Sequence, residues 1–125
     1  MGVRHELRDL LAAALPDVPA YAEVPREAGV PFVAIAPGRP EYRRRPDERA
    51  ARTGCLEVIR LEVIAAVSKE SPTALDDLDA MSDAIRGAIA NLPGARWIAV
   101  TAGRDPDAIG GTPVYRQNVL LEVSR

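Results

Sequence analysis

The chain has 125 residues, 47% of them hydrophobic, a size at which one core buries roughly two-thirds of the surface of the unfolded chain, so a single domain over residues 1–125 is expected. Its formal charge of −2 excludes general attraction to nucleic acid or to an anionic membrane, because sequence-independent phosphate binding needs a clear excess of Lys and Arg. Aromatic residues are only 4%, so Leu, Ile, Val and Ala must build the core, and the single cysteine, Cys55, has no partner for an internal disulfide and points to a reducing compartment.

The N-terminal stretch Met-Gly-Val-Arg-His-Glu-Leu-Arg-Asp lacks the apolar core of a signal peptide, and no apolar run reaches the ~18 residues of a membrane span. A soluble protein that is not exported by that route is expected. From Val3 to Leu15, apolar residues at Val3, Leu7, Leu10, Leu11 and Ala14 trace one face of a helix that Pro16 ends. An apolar stretch, Ala20 to Val24, precedes the segment Pro31 to Pro37, which reads as a brief strand covered on both faces.

Residues 38–53 hold almost nothing that can enter a core and read as a long charged loop or arm. Six arginines there, Arg39, Arg43, Arg44, Arg45, Arg49 and Arg52, stand against Glu41, Asp47 and Glu48, six minus three leaving a local excess of about three positive charges. Two readings of this arm stand: a solvated loop, or a contact that becomes ordered only when a partner supplies carboxylates to its guanidinium groups.

Cys55 to Val67 predicts the best strand, with Ile59, Leu61, Val63, Ala65 and Val67 on one face and Arg60 and Glu62 on the other. Ser71-Pro72 then predicts a helix start, Ser as the cap and Pro at the first helical position, followed by a core-facing stripe of Leu75, Leu78, Met81, Ile85, Ile89 and Leu92. Gly94 marks its exit. Arg96 to Ala102 predicts a strand, Gly103 to Pro113 a loop, and Tyr115 to Val123 a last strand with Val119, Leu121 and Val123 inward and Arg116, Asn118 and Glu122 on the other face. The order implies an α+β fold: a mainly antiparallel or mixed sheet of four to five strands with two helices packed on one face.

Little in the sequence points to catalysis. His5, the only histidine, sits beside Glu6 and Arg8 with no nucleophile motif to partner it, so it reads as a surface residue. Asp76, Asp77, Asp79 and Asp83 read as a solvated helix face matched to the helix dipole rather than a cation site, because no second acidic helix completes a shell. The Asp105-to-Gly111 segment lacks the closing Glu of a calcium loop and the Gly spacing of a phosphate cradle. No enzyme activity, metal or cofactor is expected.

The chain as a whole resembles the tail terminator, or tail completion, proteins of long-tailed bacteriophages. The likeness rests on the first helix ending near Leu15, the Val30 to Ile35 strand before a charged loop, the Leu56 to Val67 strand and the helix around Asp76 to Ile85. It extends to the Asp105-Pro106-Asp107 loop that leads into a terminal alternating strand with its Tyr115-Arg116 pair. The resemblance implies a hexameric ring at the head-proximal end of a tail tube, in the neck of the virion. Its implied partners are other copies of itself, the tail tube protein and a head-completion or connector protein, with DNA only as cargo through the lumen and no membrane. A ring subunit needs complementary edges around the ring and unlike faces along its axis, so that tube polymerisation stops there.

Candidate interface residues are Arg39, Arg43, Arg44, Arg45 and Arg49 on the arm, Arg60 and Glu62 on a polar strand face, and Arg104, Asp105, Asp107, Tyr115 and Arg116 near the second loop. In a six-membered ring the arm's excess would repeat to about eighteen positive charges. A protein partner is preferred to DNA, since strong phosphate binding would hinder DNA that has to slide through. The alternative function is a small ligand-binding or regulatory α+β domain acting as a homo-oligomer, with a metabolite held on the apolar sheet face or in a helix cleft.

Overall fold

A computed structural model describes residues 2–26, 29–44, 57–102, 108–109 and 112–124. Helix α1 (Val3–Ala14) is followed by a short strand β1 (Ala20–Tyr21) and two long ones, β2 (Phe32–Arg44) and β3 (Glu57–Ser68). Helix α2 (Ala74–Ala90) then leads to β4 (Ala95–Ala102), β5 (Ala108–Ile109) and β6 (Thr112–Ser124). The strands lie in the order β1-β2-β3-β6-β4, with β5 paired to the start of β6. All pairings are antiparallel except β1 with β2, so the sheet is mixed.

Alternation decides the two faces. Val33 and Ile35 of β2, Leu61, Val63, Ala65 and Val67 of β3, and Val119, Leu121 and Val123 of β6 form one buried cluster with Leu7 and Leu11 of α1 and the inner face of α2. Both helices therefore cover the same face, the α+β arrangement that the order of elements implies. Phe32, Ala34 and Ala66 form a second, smaller cluster packed by Tyr21 and Val30, so the start of β2 is buried on both sides. Tyr21 meets Phe32 edge-on at a centroid distance of 6.2 Å.

Four expectations need correction. The arm does not begin at residue 38: β2 continues to Arg44, where Tyr42, Arg43 and Arg44 pair with Ile59, Val58 and Glu57 after a register shift between Pro37 and Tyr42. A backbone ladder accepts charged residues when the partner strand extends far enough, and β3 does. Within the expected second loop, Ala108 and Ile109 pair with Pro113 and Thr112, so β6 starts at Thr112. Helix α2 begins at Ala74 rather than at Pro72; Ser71 instead forms a turn whose carbonyl accepts the Ala74 N–H at 3.2 Å, and Thr73 takes the cap position without a side-chain cap bond. Consequently Ala74, not Leu75, heads the buried stripe, and Leu75 is 59% exposed, since one residue shifts a side chain by about 100° around a helix. Cys55 and Leu56 lie outside the described residues.

Gly94 carries the turn from α2 into β4 with φ of 80°. Ser124 donates its N–H to the Gly94 carbonyl at 2.9 Å, and a Cβ at position 94 would run into the Ser124 carbonyl oxygen. Gly94→Ala is expected to lower stability by at least about 1–2 kcal/mol, the cost of a left-handed conformation for an L-residue, with the steric conflict adding to it. Thermal denaturation of the variant checks this, with Gly87→Ala, whose added Cβ meets no neighbour, as the control.

Candidate assembly surface

The sheet face opposite the helices carries a connected set of polar side chains. Register places Arg60 of β3 and Arg96 of β4 directly across from Glu122 of β6, one on each side. Arg60 donates to Glu122 Oε1 through Nε at 3.0 Å and Nη2 at 2.9 Å, while Arg96 Nη2 donates to Oε2 at 3.0 Å. Opposite charges facing each other across a ladder are the sheet counterpart of helix i,i+4 pairs. The Glu122 side chain is only 8% exposed, yet neither α1 nor α2 lies over it; the two arginine side chains shield it.

Hydrogen bonding from Arg96 is the main reason the Glu122 carboxyl titrates below its ordinary value; burial opposes this, and the bond and charge of Arg60 add to the lowering. The stabilisation is uneven between the arginines. Arg60 is 25% exposed and holds its geometry through two donors, whereas Arg96 is 76% exposed and its pair is largely screened by water. Gly38 of β2 makes room for this arrangement, since a Cβ there would come within 2.9 Å of the Arg60 Cβ.

One step along the face, Asn118 Nδ2 donates to Glu62 Oε1 at 2.7 Å, a diagonal pair because Glu62 lies opposite Leu120 and Asn118 opposite Ile64. Asn118 Oδ1 is buried, and among the described residues nothing donates to it. Ile64 and Leu120 are half-buried between these groups, and Arg116 lies further along β6, opposite Ala66. Both carboxylate oxygens of Glu122 thus have guanidinium partners within the chain before any neighbour arrives, which lowers the cost of covering them.

Of the residues singled out from sequence, Arg60, Glu62 and Arg116 share this face. Tyr115 does not: it points to the helix side, with the Lys69 ammonium 5.2 Å from its ring centre, and borders a concavity of about 370 Å³ together with Pro72, Leu75 and Asp76. Arg39, Arg43 and Arg44 fall in the distal half of β2, where the described structure fixes their strand positions, and Arg45, Arg49, Arg104, Asp105 and Asp107 lie outside the described residues. Sequence reading missed Arg96 as a partner of Glu122. The only available signal was its place at the head of a strand, and the pairing order of strands is not local information.

Among the described residues, no three His, Cys, Asp or Glu side chains converge as a metal site requires. Asp83 pairs with Arg86, whose guanidinium lies 5.5 Å from the centre of the Trp97 ring. Buried Ser82 donates its hydroxyl to Gln117 Oε1 and joins α2 to β6 rather than facing a substrate. Between α1 and α2 runs an open groove of about 460 Å³ lined by Leu10, Ala13, Ala14, Ala84, Gly87, Ala88 and Asn91. No helix among the described residues is long and apolar enough to cross a membrane.

No family model and no curated protein matches the sequence. Among solved structures, a chain from the virion of a native gene transfer agent particle has the same fold, with a TM-score of 0.56 over 98% of this chain and 90% of that one, at 15% identity.

Proposed function

We propose that this chain is a structural virion protein that forms a ring, of about six copies, on the head-proximal end of a phage-type tail tube, where it stops tube polymerisation and joins the tail to the head-completion proteins. The observation that carries this reading is the end-to-end fold likeness to a virion chain, which leaves almost no part of either chain unaccounted for. The resemblance in sequence organisation to tail terminators supplies the finer role.

The sheet face opposite α1 and α2 suits that role physically. A subunit covered by neighbours on several sides must present polar groups that stay satisfied when water leaves, and both carboxylate oxygens of Glu122 already accept from Arg60 and Arg96. Assembly therefore depends on shape and on the donors and acceptors that remain at the surface. A ligand-binding role finds less support, because the groove between the helices is open along its length and holds only the Asn91 side chain as a polar group.

Native mass spectrometry of the purified protein tests the proposal: a species of about six copies is expected, whereas a monomer or dimer at all concentrations counts against it. Replacing Arg43, Arg44 and Arg45 with Ala is expected to leave the melting temperature nearly unchanged, since charged side chains are poor core material, while weakening ring formation. Wild-type levels of rings from that variant would show that these arginines are only solvated charge.

A further inference from the structure

The two outer edges of the sheet are unlike. The strand order ends at β4 on one side and at the two-residue β1 on the other, and among the described residues no strand covers the outer edge of either. Four strand spacings separate these edges, about 19 Å, well beyond the ~8 Å over which charges act in physiological salt. An edge strand is usually blunted by charge or covered, because its backbone groups stand unpaired. The one charged residue of β4, Arg96, is engaged with Glu122 on the face opposite the helices. The strand otherwise presents Trp97, 46% exposed, and exposed Ile98, which the register shift between Trp97 and Ala99 leaves without a partner residue.

Trp97 lies on the helix side, where Arg86 of α2 reaches its ring. Arg86 also lines a concavity of about 350 Å³ with Asp79, Ser82, Asp83, Val100 and Gln117. Four of these polar residues are engaged with one another, Asp83 with Arg86 and Ser82 with Gln117. Exposed Asp79 has no ion pair or hydrogen bond among the described residues. At the opposite edge the chain leaving β1 also runs on the helix side, since Glu23 meets Arg4 of α1 at 4.0 Å. Val24 there is 51% exposed. Among the described side chains, Arg26 is the one basic group with no ion pair, hydrogen bond or ring contact. Of the other charges near this edge, Asp17 lies back beyond the end of α1, and Glu27 follows Arg26 outside the described residues.

We infer that the Val24–Arg26 edge of one copy docks on the Trp97–Ile98 edge of the next, Val24 covering Trp97 and the Arg26 guanidinium meeting the Asp79 carboxylate. This contact rests on the ring reading given above and names where its subunits join. The occupant is a second copy because the chain itself carries both an unpartnered cation and an unpartnered carboxylate, each near an exposed apolar residue, at opposite edges and on the same side of the sheet. Joining unlike edges is a heterologous contact, the kind that repeats around a closed ring. Pro25 has no N–H to add to a ladder, so the segment covers β4 with side chains rather than as a further strand. A tryptophan covered in this way is the common anchor of an interface, and the Arg26–Asp79 pair sets direction, since like edges bring like charges together.

Charge reversal on each side provides the test, using the full chain and reading assembly by native mass spectrometry across a concentration series. One variant carries Asp79→Lys and the other Arg26→Glu; both positions are exposed, and circular dichroism confirms that each variant folds. Each alone is expected to assemble about tenfold more weakly than wild type, because like charges then face each other. Restored assembly is expected from a single chain carrying both changes and from an equimolar mixture of the two variants. Glu23, Glu27, Asp83 and Arg86 are the same in all of these proteins, so restoration reports on the one exchanged pair. Trp97→Ala, which lies outside the buried cluster, is expected to weaken assembly tenfold or more. Wild-type assembly by either folded single-charge variant or by folded Trp97→Ala overturns this contact while leaving the ring reading in place, as does a charge loss that neither mixing nor combining restores. Wild-type protein that stays monomeric at every concentration overturns the ring reading and this contact with it. Should a charge variant fail to fold, Val24→Ser decides from the β1 side, with weakened assembly expected and wild-type assembly overturning the contact.

Discussion

Leu121→Ala is expected to destabilise the fold by roughly 2 to 5 kcal/mol, whereas Leu75→Ala leaves it within about 0.5 kcal/mol of wild type. Leu121 is fully buried at the centre of the sheet, on β6 between Leu61 of β3 and Trp97 of β4, and it belongs to the cluster that holds both helices to the sheet. Truncation there removes apolar atoms whose place the flanking strands cannot take up, because the ladders on both sides fix their spacing; a cavity term adds to the transfer term. Leu61→Ala follows the same logic, with a loss in the same range. Leu75 meets solvent, so its deletion removes almost no buried area. Urea denaturation of the three variants checks the ranking. Equal loss for Leu75 and Leu121 would mean that the face assigned to α2 is wrong.

The second large effect is expected at Glu122. Glu122→Gln leaves Arg60 without a carboxylate on a partly buried sheet face, and the loss is expected to be about 1–3 kcal/mol near neutral pH. Arg96→Ala costs less than about 1 kcal/mol, because that arginine is mostly in water already. The pH dependence follows from the lowered titration of Glu122 in the folded chain. Its contribution is fully present above the ordinary carboxylate value of 4.5, is lost as the pH falls through the lower folded value, and is gone once the group is protonated in both states. The gap in stability between wild type and Glu122→Gln should therefore be widest near neutral pH and should close under acidic conditions. Denaturant midpoints across the acidic range measure it, and a gap independent of pH would show that Gln acts through packing and not through charge.

For assembly, the two predictions separate roles that the sequence alone runs together. Glu122, held on both oxygens by Arg60 and Arg96, ties β6 to β3 and β4, so its loss shows first in stability. Leu75 faces solvent and contributes little to the fold, so its loss leaves stability near wild type.

Periodicity in the sequence determined the inward faces of β3 and β6 and most of the stripe on α2, because alternation and the 3.6-residue repeat record burial locally, residue by residue. It also determined that Phe32 to Ile35 would be covered on both sides, since that run offers no polar face. Tertiary structure alone decided the length of β2: charged residues from Arg39 to Arg44 carry no strand signal of their own and become strand because β3 extends to Glu57 beside them. It decided as well that Ala74 and not Leu75 enters the core, through a helix start set two residues later by the turn at Ser71. The pairing of Arg60 and Arg96 with Glu122 joins residues 62 and 26 positions apart and depends on the strand order. Such neighbours are fixed by which strands pair and in what register, and that choice is made by the burial of the whole sheet, so no local stretch of sequence contains it.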